Sequence, residues 1–103
     1  MKGEFRIAIT PAAIAEFCRR NHIRKLSFFG SVLRDDFGPD SDVDVLAEFE
    51  LGHVPGFIRL GQIEEELSTL LGGRRVDLVT AKFLSPRIRG RVLATAEVQY
   101  AEG

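Results

Sequence analysis

Residues 28–45, FFGSVLRDDFGPDSDVDV, decide the fold. The stretch LSFFG is short and aromatic and closes on Gly30, as a buried strand does. RDDFGPDS follows, with Gly38, Pro39, Asp40 and Ser41 forming a turn cluster. DVDVLAEF then alternates: Asp42, Asp44, Leu46 and Glu48 fall on one side of an extended chain, and Val43, Val45, Ala47 and Phe49 on the other. Strand, turn and strand thus place Gly30-Ser31 at the end of one element and Asp42-Val43-Asp44 at the start of the next.

Working outward, Thr10-Pro11 opens a helix with Ile14, Phe17 and Cys18 on one face, ending near Asn21. After GHVPG, the residues Phe57, Leu60, Ile63, Leu67 and Leu70 recur at intervals of three and four, with Glu64, Glu65 and Glu66 largely off that stripe. This amphipathic helix stops at Gly72-Gly73. VDLVT reads as a third strand, buried because Asp77 is flanked by apolar residues. A short helix over Pro86 to Leu93 and a last strand at EVQYA complete the order α, β, β, α, β, α, β. The predicted fold is α/β (α+β), a mixed β-sheet flanked by helices.

Composition sets the outer limits. The 103 residues carry 14 Lys plus Arg against 15 Asp plus Glu, a formal charge of -1, with 45% hydrophobic and 28% charged residues. That balance predicts one soluble domain over residues 1–103 and excludes a general nucleic-acid coat, which needs a basic excess. No run is long and apolar enough for a membrane span, and the charged start MKGEFRIAIT lacks a signal peptide's apolar core, so the expected compartment is the cytoplasm. Cys18 excludes an internal disulfide and, with His22 and His53 as its partners, makes no structural zinc site. The two histidines read as surface or loop residues.

Carboxylates two apart on a strand point the same way, with Cα atoms roughly 6 to 7 Å apart, so Asp42 and Asp44 can converge on bound cations. Unpaired they repel, and a divalent cation removes that cost. Magnesium suits this all-oxygen donor set and keeps open positions for phosphate oxygens. Asp77, on a neighbouring strand, supplies a third carboxylate, and three such groups can hold two ions about 3.5 to 4 Å apart for phosphoryl transfer. Gly30 lets a phosphate approach the backbone, Ser31 donates to it, and Arg34, about one turn further on, neutralises phosphate charge or anchors the acidic loop.

Other acidic motifs fail. DSDVDV starts like an EF-hand loop, but Val45 stands where glycine is needed and Leu51 where a bidentate glutamate is needed. A haloacid-dehalogenase nucleophile requires a much longer doubly wound domain, and neither GxGxxG nor a P-loop is present. Between Arg74 and Arg91, six basic residues face the single acid Asp77, as a solvated helix face or a docking or phosphate-facing surface.

Gly30-Ser31, Asp42-Val43-Asp44 and the later strand Asp77 resemble the nucleotidyltransferase superfamily related to DNA polymerase β. More narrowly, PDSDVDVLAEFE, GGRRVDLVT and LSPRIRGRVLATAEVQYA resemble the minimal nucleotidyltransferase (MNT) antitoxins that act beside HEPN-domain toxins. The resemblance implies a polymerase β-like fold, with Gly30 and Ser31 on the nucleotide triphosphate, next to the Arg34 read above from its position, and Asp42, Asp44 and Asp77 as catalytic metal ligands for two Mg2+ ions. Asp35 departs from the pattern, since many members have a small residue after the arginine. The implied activity is transfer of AMP from ATP to a hydroxyl, a tyrosine of a HEPN ribonuclease toxin, within a hetero-oligomer and without direct nucleic-acid or membrane contact. The alternatives are a non-catalytic antitoxin that inhibits by binding, and a small-molecule nucleotidyltransferase.

Overall fold

The computed structural model describes residues 9–30 and 41–102. Helix α1 covers Pro11–Arg20, strand β1 Ile23–Phe29, β2 Val43–Phe49, helix α2 Phe57–Leu70, β3 Val76–Val79, helix α3 Pro86–Thr95 and β4 Glu97–Ala101, with a 3-10 turn at Ala81–Phe83. The element order matches the alternation read from the sequence, with each boundary close to the expected one. Among the described residues, no helix is long and apolar enough to cross a membrane.

Local chemistry accounts for the helix ends. The Thr10 side chain accepts the Ala13 N–H at 3.1 Å, and Pro11 occupies the first turn, where its missing N–H costs nothing. Asn21 closes α1: its side-chain amide donates to the Phe17 carbonyl at 2.9 Å and to Glu66 Oε1 at 3.2 Å, while its Oδ1 accepts from Arg59 at 2.8 Å. Together with the Arg20–Glu66 ion pair, this nearly buried asparagine ties α1 to α2. Helix α2 ends where Gly72 and Gly73 take φ of 78° and 87°, and the Gly73 N–H returns to the Ser68 carbonyl at 2.8 Å.

The four strands form one sheet in the order β3-β2-β1-β4. Strand β1 pairs antiparallel with both β2 and β4, whereas β2 and β3, joined through α2, run parallel. One face of β2 sends Val43, Val45 and Ala47 into the main core with Ile14, Phe17 and Cys18 of α1 and Ile63 and Leu67 of α2. The other face carries Leu46, which packs with Leu84, Val92, Phe29 and Val79. The period-2 reading of DVDVLAEF therefore assigns the two faces as the fold uses them.

Two expectations need correction. Strand β3 is an edge strand, so its burial is partial and Asp77 is exposed, not sunk in an apolar strand. Phe57, at the head of the α2 stripe, is 81% exposed and stacks on Phe83 with ring centroids 5.7 Å apart. The stripe meets the core from Leu60, which is partly buried against it, and is fully buried at Ile63 and Leu67.

The outer edge of β3 is closed by α2. The Leu78 N–H donates to Glu64 Oε2 at 2.8 Å, and the Ser68 hydroxyl donates to the Arg74 carbonyl.

Burial pushes the Cys18 thiol up to about 12, an effect only partly offset by the Arg19 guanidinium. The thiol should therefore resist a disulfide reagent at about pH 8 in the native chain and react at the rate of unfolding. Labelling followed with and without urea checks this, and fast native labelling would contradict it. Leu67 is fully buried between helix and sheet. Leu67→Ala should lower stability by about 2 to 5 kcal/mol with an unchanged urea m-value, measured by equilibrium denaturation.

Candidate active site

The geometry begins with the pairing of β2 and β3. Their parallel register sets Asp44 opposite Asp77, with Val43 opposite Val76 and Val45 opposite Leu78. Residues opposite one another in a ladder project to the same face, on strands about 4.8 Å apart. Asp42 precedes Asp44 by two positions and shares that face. All three carboxylates thus lie on the face that also holds Leu46 and Val79, at the end of the sheet where β2 and β3 start.

Strand β1 runs antiparallel to β2, so its finish lies at the same end. Phe29 pairs with Asp44, and Gly30 follows with φ of 74°. A Cβ built on Gly30 would stand 2.3 Å from Asp44 Oδ2. Glycine is required here twice over, by the left-handed backbone and by the carboxylate that fills the space of a side chain.

Asp42 is exposed and Asp44 half-buried. Arg75 Nε lies 3.0 Å from Asp42 Oδ1, and the Val43 N–H donates to the Arg75 carbonyl at 2.9 Å, so the residue before β3 is held against the first aspartate by side chain and backbone together. The pairing is between exposed groups and contributes little to stability. An open groove of about 410 Å³ runs along the β3 edge, lined by Asp42, Asp77, Arg75, Val76, Glu64, Glu65 and Ser68. Four carboxylates against one guanidinium make it a cation-attracting surface. Glu64 is the member that sequence reasoning missed: its off-stripe position pointed to solvent, yet it bridges α2 to β3.

The structure therefore brings Asp42, Asp44, Asp77 and Gly30 to one corner. Ser31 and Arg34 lie outside the described residues, as do Asp35 and Asp36. Within the basic segment, Arg89 is committed to the fold: its guanidinium donates to the Ala81 carbonyl at 2.9 Å and the Leu84 carbonyl at 3.0 Å. Lys82, Arg87 and Arg91 are exposed.

Comparison with known proteins adds an independent line. The nucleotidyltransferase domain model matches residues 12–97. The protein adenylyltransferase MntA of Thermococcus cleftensis is 38% identical over 86 residues, 84% of each chain. A solved structure described as a minimal nucleotidyltransferase is 36% identical, covers 84% of this chain and 85% of its own, and superposes with a TM-score of 0.68. An MNT antitoxin solved with the tri-AMPylated HEPN toxin of Shewanella oneidensis shares the fold, with a TM-score of 0.60 at 22% identity over 88% of this chain and 69% of that one. The family match over residues 12–97 and the 38% identical relative show that the chain belongs to the nucleotidyltransferase domain family.

Proposed function

We propose that this chain is an antitoxin that transfers AMP from ATP to a hydroxyl, a tyrosine, of a HEPN ribonuclease toxin, releasing pyrophosphate and silencing the toxin. The observation that carries the reading is the Asp44–Asp77 register with Asp42 two residues away on the same face. The adenylyltransferase relative and the AMPylated toxin of a structural neighbour supply the substrate class. Residues 1–103 act as one catalytic domain in the cytoplasm, and the toxin brings its own acceptor in a hetero-oligomer.

The carboxylates fit Mg2+. Their donors are hard oxygens, and Asp44 Oδ2 occupies the space that only a glycine at position 30 leaves open, which fixes its direction. Asp42, Asp44 and Asp77 would together hold the ions. When bound, such a pair lowers the acceptor hydroxyl's pKa and offsets charge on the leaving pyrophosphate. Gly30 leaves its backbone accessible to a phosphate oxygen, Ser31 donates a hydroxyl to it, and Arg34 balances its charge. Arg75, held on Asp42, limits carboxylate repulsion while cations are absent.

Incubated with its HEPN partner, ATP and magnesium, the chain should add one or more AMP units to the toxin's intact mass. Asp42→Asn or a chelator should abolish the gain. Unchanged mass with the wild-type chain would refute the transferase reading, and full neutralisation by Asp42→Asn would assign inhibition to binding alone.

Gly30→Ala forces a methyl group into Asp44 and strains a backbone at φ of 74°. The rate of AMP transfer should fall by about 100-fold, the scale of a displacement near 1 Å at a reacting centre. Single-turnover kinetics measure it, with circular dichroism reporting a retained fold.

A further inference from the structure

Three side chains that AMP transfer does not use meet at the other end of the sheet. His22 immediately precedes β1, Glu50 immediately follows β2, and His53 lies in the loop leading to α2. Because β1 and β2 are antiparallel, the start of one and the finish of the other are neighbours. Seven strand residues at about 3.3 Å each separate this end from the aspartate corner, roughly 20 Å.

The backbone holds the three together. The Glu50 N–H donates to the His22 carbonyl at 2.9 Å, and the His53 N–H donates to the Glu50 carbonyl at 3.0 Å. His22 has φ of 58°, a left-handed conformation uncommon outside glycine though histidine takes it more readily than most residues, and it turns the chain between α1 and β1. The two imidazoles stack with centroids 3.8 Å apart and planes 12° from parallel. Glu50 Oε1 lies 3.7 Å from His22 Nδ1. One donor atom from each residue falls within 4.8 Å of the other two.

We propose that His22, Glu50 and His53 form a binding site for one borderline divalent transition metal, zinc, with water completing a tetrahedron. Two imidazole nitrogens and a carboxylate oxygen form a recognised zinc donor set, with bonds of about 2.0 to 2.2 Å. Such bonds place neighbouring donors about 3.3 Å apart, so binding requires the stacked rings to turn about their side-chain torsions until one nitrogen of each points with Glu50 at a common ion. Both histidines are exposed, which leaves their rings room to turn. Imidazole selects this site for zinc over magnesium, while the all-oxygen aspartate corner has the opposite preference. The expectation of no zinc site considered Cys18 as the third ligand. Cys18 is buried in the main core, and Glu50 takes its place. The bound ion would clasp the turn after α1 to the loop before α2, with no part in AMP transfer.

Calorimetric titration of the full chain with zinc chloride in millimolar magnesium tests the site. One equivalent should bind, and Glu50→Gln should weaken it at least about tenfold and His53→Ala about a hundredfold. Zinc should also raise Tm by about 5 °C in the wild-type chain and leave His53→Ala unmoved. Asp42→Asn should bind zinc as the wild type does, which separates this site from the aspartate corner. Absence of binding, binding indifferent to His53→Ala, or binding lost in Asp42→Asn would each overturn the proposal.

Discussion

A pair of like charges set side by side constrains everything else in this molecule. Asp44 and Asp77 face each other across a parallel ladder, where neighbouring strands stand about 4.8 Å apart. Hydrophobic pairings on both flanks, Val43 with Val76 and Val45 with Leu78, impose this register. A slip of one residue would turn valine toward water and aspartate toward the core, so burial on one face enforces proximity of charge on the other. The site is thereby a consequence of the core: Phe17, Phe28, Ile63 and Leu67 hold the sheet against α1 and α2, and the sheet holds the carboxylates.

The glycine at the end of β1 completes that constraint from the neighbouring strand. Its missing side chain makes the space that Asp44 enters, so two strands contribute to one carboxylate's orientation. Arg75 adds a third restraint at Asp42, reached through the short connection between α2 and β3. Three backbone segments distant in sequence thus converge by ordinary strand pairing, without any long loop among the described residues being needed to bring them together.

Much of this was legible in the sequence. Alternation in DVDVLAEF assigned both faces of β2, and the three-and-four spacing from Ile63 to Leu70 located the buried part of α2. Periodicity, however, reports which side of an element is apolar and not what lies opposite it. For that reason Phe57 looked like a core residue although it stands exposed and stacked on Phe83, and Asp77 looked buried although its strand is at the sheet's edge. Strand partners and register depend on long-range pairing, so the opposition of Asp44 and Asp77 could be expected only as a possibility of geometry. His22, Glu50 and His53 left no local signal at all, because their meeting is created by the antiparallel crossing of β1 and β2.

Glu64 has a consequence beyond the groove it lines. Its carboxylate accepts the Leu78 N–H, a hydrogen bond that an additional strand would otherwise provide. The margin of the sheet is thus occupied by a negatively charged side chain from the molecule's own helix. A foreign extended segment seeking to pair there would have to displace that acceptor and lie against its charge. The same residue therefore guards the β3 margin against edge-to-edge pairing, a protection that does not reach β4 at the opposite side of the sheet.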